Sequence, residues 1–392
     1  MRNALNAKLS ITALLISLLV AGCSTPAQRP AAVTDATSAD TGNERHVQRL
    51  RPVDPGGPLL FGDAPEMEQV PFENRLVTNL RQHTFTVEGL DFDPDIDPAG
   101  QTLVFASTRH SERAGLYMKA VEGTALTQLT AGPGEDIQPR FSPDGETIVF
   151  CSNRSGNWDI WRIGRDGTGL TQLTHGPADE LAPSWSPDGA QVVYTVWGQR
   201  SHRWEIWALD VEQPGVRRFL AYGMFPCWSP DGTRVAFQRA RERGSRWFSI
   251  WVVDVIDGEA RHPTEFAHSD EMACIAPSWS PDGSMLAYCT VRPEVDGDGS
   301  GRAPHVADLW SIELESGLRM KLTGGSVAAF NPVWGPDGRI FFVSAYAGTE
   351  NIWSLSADLA SYARGDAGAP RVSRGPASSV RSAPGIREGN SP

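Results

Sequence analysis

The apolar residues of this chain fall in short runs such as Ile148-Val-Phe150, Val192-Val-Tyr194 and Val235-Ala-Phe237, apolar on both alternating faces. A strand of that kind is covered on both sides. Pro-Asp-Gly stands ahead of each run: proline presets φ, aspartate caps its own backbone, and glycine accepts a positive φ. A polar loop follows, then a strand that closes on tryptophan: Asp159-Ile-Trp161, Glu205-Ile-Trp207, Ser249-Ile-Trp251, Asp308-Leu-Trp310 and Asn351-Ile-Trp353. Another strand ends near Thr171-Gln-Leu-Thr174 or Lys321-Leu-Thr323. With the segment leading into the turn, each unit holds four strands.

The unit repeats. Its signature, P-x-aromatic-S-P-D-G, reads Pro139–Gly145, Pro183–Gly189, Pro226–Gly232, Pro277–Gly283 and, with Gly335 for serine, Pro332–Gly338. A degenerate first copy is Pro94-Asp-Ile-Asp-Pro-Ala-Gly100. The second prolines (Pro98, Pro143, Pro187, Pro230, Pro281, Pro336) lie 45, 44, 43, 51 and 55 residues apart. Repeats of about 40 to 50 residues with four strands each mark a propeller. The expected fold is all-β, a six-bladed β-propeller of four-stranded blades. Asn79-Leu-Arg-Gln-His-Thr-Phe85 resembles a fourth-strand ending but precedes the first unit, and the last unit decays after its third strand. The N-terminal segment is therefore expected to close blade six and remove an exposed edge.

Nine of the thirteen tryptophans occupy the two repeat positions, which makes them wedges between blades and not platforms for a ligand. Asp144, Asp188, Asp231, Asp282 and Asp337 form a ring of carboxylates that belongs to turns. This repeat resembles the PD40 (WD40-like) units of TolB-type propellers over roughly residues 79 to 356. The resemblance implies a protein-binding module of the cell envelope. TolB itself carries a folded α/β domain ahead of its propeller, and this chain is expected to lack it.

The segment ahead of the repeats supports an envelope location. Arg2 and Lys8 precede a twelve-residue, mainly apolar run, Leu9 to Val20. That is shorter than the roughly 20 residues a membrane-spanning helix needs and suits a secretory signal. Val20-Ala-Gly-Cys23 resembles the lipobox of bacterial lipoproteins, so Cys23 is the expected lipidation site; Ser24 after it favours the outer membrane. The expected organisation is a signal peptide at 1–22, a flexible tether at 23–58, the propeller with its lead-in at 59–358 and a disordered tail at 359–392.

Net charge is −12, or −14 without Arg2 and Lys8. So acidic a chain is a poor nucleic-acid binder, since that binding rests on neutralising phosphates. Cys151, Cys227, Cys274 and Cys289 read as buried thiols, although an oxidising compartment permits a disulfide, with Cys227–Cys274 the first pair to test. The chain has no Gly-x-Ser-x-Gly elbow, no HExxH and no Walker loop. No enzyme is expected; the rival reading is a glycan lyase or hydrolase working in the propeller channel.

Charge patterning singles out the loops between second and third strands. They gather Arg109, Arg113, Arg154, Trp197, Arg200, His202, Arg203 and Trp204, then Arg239, Arg241, Arg243, Arg246 and Trp247. Asp91, Asp136 and Glu180 share one repeat position and are expected at the channel mouth on that same face. Arginine and tryptophan are enriched at interface hot spots. The expected partner site therefore comprises Arg200, Arg203, Trp204, Arg241, Arg243, Trp247, Asp91, Asp136 and Glu180. Its expected partner is an envelope protein or peptidoglycan-associated component, met by a monomer. One further loop, Asp296-Gly-Asp298-Gly-Ser300, matches the first half of a calcium loop but lacks the twelfth-position glutamate. Calcium is the cofactor this loop would take; otherwise none is expected.

Overall fold

The computed structural model describes residues 77–241, 247–292, 294–295, 301–302, 307–324 and 328–357. The closing strand comes first in the chain, β1 (Val77–Gln82). Blade one is β2 (Asp91–Ile96), β3 (Thr102–Ser107), β4 (Gly115–Ala120) and β5 (Leu126–Gln128). Blade two follows as β6 (Asp136–Phe141), β7 (Thr147–Ser152), β8 (Asp159–Gly164) and β9 (Thr171–Gln172). Blade three is β10 (Glu180–Trp185), β11 (Gln191–Gly198), β12 (Arg203–Asp210) and β13 (Arg217–Tyr222). In blade four stand β14 (Met224–Trp228), β15 (Arg234–Ala240), β16 (Phe248–Ile256) and β17 (Glu259–Ala267).

Blade five begins with β18 (Ala273–Trp279) and β19 (Met285–Val291). A small inserted hairpin, β20 (Glu294–Val295) and β21 (Gly301–Arg302), precedes β22 (Ala307–Glu313) and β23 (Arg319–Lys321). Blade six is β24 (Ala329–Trp334), β25 (Arg339–Ser344) and β26 (Asn351–Ala357), with β1 as its outer strand in the order β1-β26-β25-β24. The fold is thus the expected six-bladed, four-stranded propeller, closed by its N-terminal strand.

The second strands are the most deeply covered, as their two apolar faces require: Leu103, Val104, Phe105, Ile148, Val149, Phe150, Ile340 and Phe341 are wholly inaccessible. Wedging by tryptophan is direct. Trp185 Nε1 donates to the Arg140 carbonyl (3.2 Å) and Trp279 Nε1 to the Cys227 carbonyl (3.0 Å), each reaching the inner strand of the preceding blade. The turn aspartates stay in their turns. Ser142, Ser186 and Ser280 hydroxyls and then local backbone N–H groups hold Asp144, Asp188 and Asp282 below the usual carboxylate range. The turns also stack around the ring: a Cβ on Gly145 would stand 3.3 Å from Pro98, one on Gly232 3.1 Å from Pro187, and one on Gly100 3.2 Å from Pro336, which joins blade one to blade six.

Candidate functional site

Two regions hold candidate chemistry, one at each end of the blades. The first is the loop face. Asp91 and Asp136 open inner strands β2 and β6 and are essentially inaccessible. Arg109 Nη2 lies 2.6 Å from Asp91, and Arg154 Nη2 lies 2.7 Å from Asp136. These guanidinium groups also stack on Phe105 and Tyr117, and on Phe150 and Trp161. The third acid, Glu180, is 4% exposed and meets the Arg217 guanidinium at 3.7 Å. Burial pushes its carboxyl up to about 7, with the Thr174 hydroxyl opposing and buried Asp159 adding to the rise. The expected acidic channel mouth is therefore corrected: all three acids lie beneath the face, and two are neutralised by the arginines that were expected to be presented. Blade three has Gly198 where blades one and two place that arginine, so Glu180 lacks the close guanidinium that Asp91 and Asp136 have.

What the face does present is the tip of blade three. The β11–β12 ladder runs on through Trp197↔Trp204 and Gly198↔Arg203, whereas that of blade two stops at Ser152↔Asp159. Trp197 and Trp204 meet edge to face at 5.3 Å, Arg200 and His202 are exposed, and exposed Arg203 lies 5.3 Å over Tyr222. Arg241 is half-buried between Glu265 (3.2 Å) and Asp270 (3.3 Å), and half-buried Trp247 packs on the core. Arg243, Cys23 and the loop residues Asp296, Asp298 and Ser300 lie outside the described residues. No cluster of His, Cys, Asp or Glu suited to a metal occurs among the described residues. Cys151, Cys227, Cys274 and Cys289 are free thiols, and burial pushes Cys227 and Cys274 up to about 12.

The second region is the central channel, whose lining residues the sequence does not single out. Every inner strand carries a bulge, and the residue before its first proline is left-handed: Asp93, Gln138, Ala182, Phe225, Ala276 and Asn331, with φ between 48° and 55°. Such a φ is uncommon outside glycine. Its recurrence before each proline of the signature was the available signal. These six residues line a cavity of about 360 Å³ that runs toward the Pro-Asp-Gly turns, at the opposite end of the blades from the Arg/Trp loops.

The cavity is two-sided. Its charged residues and side-chain amides, including Asn331, Asp93, Asp95, Gln138 and Arg140, come from blades six, one and two; blades three to five contribute Ala182, Phe225 and Ala276, with Ser184, Cys227 and Ser278 among their polar groups farther along. Asn331 Nδ2 donates to Asp93 Oδ1 (2.7 Å), while buried Asp93 Oδ2 has no hydrogen-bond partner. Asp95 Oδ2 accepts from the Phe141 backbone (2.7 Å). The Arg140 guanidinium donates to the Pro94 and Pro139 carbonyls, at 3.2 and 3.1 Å. Burial pushes Asp93 and Asp95 both up to about 6, with Arg140 as the main opposing influence.

With this geometry in view, the relatives are informative. Residues 70–223 match the family model of the TolB beta propeller domain, PD40. Over those residues the repeats are of the TolB PD40 type. An uncharacterized protein of Agrobacterium fabrum is 34% identical over 87 residues, 22% of this chain and 26% of its own length. The match thus spans about a quarter of that relative. Among solved structures, one described as a TolB of Agrobacterium tumefaciens is 19% identical and superposes with a TM-score of 0.52, covering 70% of this chain and 95% of that one. An oligogalacturonate lyase of Vibrio parahaemolyticus is 15% identical, with a TM-score of 0.49 over 71% of this chain and 93% of that one. At 19% identity the Agrobacterium tumefaciens TolB speaks for the fold alone, and nothing rests on the lyase.

Proposed function

We propose that this chain is a lipid-anchored TolB-type propeller of the bacterial envelope that works by docking a partner protein and catalyses no reaction. The observation that carries the reading is the projecting β11–β12 hairpin. Its extra ladder pairs hold a tryptophan pair and Arg203 beyond the blade, next to exposed Arg200, in a chain of net charge −12. Trp204 also packs on the core and Arg203 on Tyr222, whereas blade packing does not need Arg200 there. Local charge opposite in sign to the whole steers an acidic partner into one orientation.

Replacing Arg200 and Arg203 by glutamate is expected to leave the fold intact, because exposed substitutions away from special features usually cost within about 0.5 kcal/mol each. Capture of the partner, cross-linked in cells and quantified from the envelope, should weaken at least about tenfold, or 1.4 kcal/mol. Wild-type capture should also fade as salt rises. Equal capture by the folded double variant would place the docking site elsewhere.

Anchoring is tested separately. Each buried acyl CH₂ contributes about 0.8 kcal/mol of membrane affinity, so Cys23→Ser should move the protein from the membrane to the soluble fraction. A variant that stays membrane-bound through carbonate washing would show that another segment anchors the chain.

A further inference from the structure

The channel has a property that partner docking at the other end of the blades does not use. Its charges do not balance. Asp97 is paired with Arg165 at 3.1 Å, which leaves Asp93 and Asp95 facing the single guanidinium of Arg140. Arg140 Nη1 donates to two backbone carbonyls, and the one positive charge of the group is shared between the two carboxylates. When both carboxylates are ionised, one negative charge is uncompensated in a confined site, and a buried charge is retained only at considerable cost unless something pairs it. The atom left over is identifiable: Asp93, only 6% exposed, is among the residues lining the cavity, and its Oδ2 is closed to solvent and has no hydrogen-bond partner.

Opposite this corner the left-handed positions are apolar, with Phe225 between Ala182 and Ala276, and the wall beyond them mixes Trp185, Trp228 and Trp279 with Ser184 and Ser278 and carries no charge. A complementary ligand therefore carries one positive charge with N–H donors at one end and a short apolar stem at the other. A metal ion fits poorly. Asp93 offers one open oxygen, and no trio of His, Cys, Asp or Glu among the described residues converges on a point. A cavity of about 360 Å³ suits a small molecule or a single side chain.

We propose that the central channel is a binding site for a small organic monocation, an alkylammonium whose charged head meets Asp93 and whose apolar stem lies against Phe225. Ion pairing with Asp93 neutralises the surplus charge and satisfies the open oxygen, and Asn331 holds the carboxylate in position from blade six. Because Asp93 and Asn331 belong to different blades, an occupied site also ties the first blade to the last across the seam of the ring.

The test is calorimetric titration of the full-length chain with n-pentylammonium, with neutral 1-pentanol, with calcium chloride and with the peptide Gly-Lys-Gly. Pentylammonium is expected to bind at least tenfold more tightly than pentanol, and Asp93→Asn, shown to be folded by circular dichroism, to lose at least tenfold of that affinity. Binding of Gly-Lys-Gly as well as pentylammonium would identify a lysine side chain as an acceptable source of the same head group. Equal binding of pentanol and pentylammonium would overturn the proposal. So would unchanged amine binding by Asp93→Asn, or calcium binding in a chain that ignores the amine. Should Asp93→Asn not fold, the wild-type chain still decides: amine affinity must fall as pH drops from about 7.5 to about 5 and the channel carboxylates beside Arg140 take up protons, and an affinity flat over that range overturns the site.

Discussion

A chain lacking residues 24–85 is expected to give no soluble monomer, whereas one lacking only residues 24–58 should melt at the temperature of the parent. The difference lies in what β1 and the residues just after it complete. The His83 backbone N–H donates to the Ile352 carbonyl (2.8 Å), and its ring Nε2 meets Ser354 Oγ (2.8 Å). Lys119, itself buried, gives its ammonium to the His83 carbonyl at 2.7 Å. Thr84 Oγ1 donates to Asn351 Oδ1 at 3.1 Å. Removing this segment strands the partners of all these bonds in places made to exclude water. Each orphaned buried group costs about 1 to 3 kcal/mol, and an orphaned ammonium more. Their sum rivals the 5 to 15 kcal/mol that holds a typical domain together. The bare edge of β26 would in addition invite pairing between chains. Size-exclusion chromatography and thermal melts of the two truncations measure this directly. A stable monomer without residues 24–85 would mean that the ring is sealed by contacts other than β1.

This closure was legible because Asn79–Phe85 repeats a fourth-strand ending in the wrong place, ahead of the first unit. The blade boundaries were legible for a similar reason: Pro-Asp-Gly can adopt few backbone conformations, so it marks the same turn in each copy. Depth was not legible. Asp91, Asp136 and Glu180 share a repeat position, and their alignment holds, but alignment does not say whether an arginine folds back over the carboxylate. Arg109 and Arg154 do so, each stacked on aromatic residues of its own blade. Gly198 leaves Glu180 without that cover. The lining of the channel is not legible because its six residues before proline share no chemistry; what they share is a backbone conformation that accompanies the bulge. A motif defined by its constant positions hides a site built from its variable one.

Asp93→Asn is expected to stabilise the protein by about 2 to 3 kcal/mol at neutral pH. Burial raises the Asp93 carboxyl from 3.8 to about 6, and a rise of roughly two units corresponds to about 3 kcal/mol spent in ionising it in place. The sign follows from proton binding. Below pH 3.8 the group is neutral in folded and unfolded chains alike. Between 3.8 and about 6 the unfolded chain has released the proton while the folded chain holds it, so this group's contribution to stability falls as pH rises. Above about 6 both forms are ionised and the loss is complete. Asparagine mimics the neutral acid at every pH and still accepts from Asn331. It also tolerates the left-handed φ of 49° better than most residues. The stabilisation should therefore vanish as pH is lowered through 6 toward 3.8. Wild-type curves alone would not reveal it, because buried His83 acts in the opposite sense. Its pKa is lowered to about 4 by burial, so its contribution is whole above 6.5 and is lost as pH falls toward 4. That background is common to both proteins and cancels in their difference. Urea unfolding of wild type and Asp93→Asn across this range supplies the measurement. A gain in stability that is the same at every pH would assign the effect to the backbone alone. A less stable variant at pH 7.5 would show that the ionised carboxylate is already satisfied in the channel.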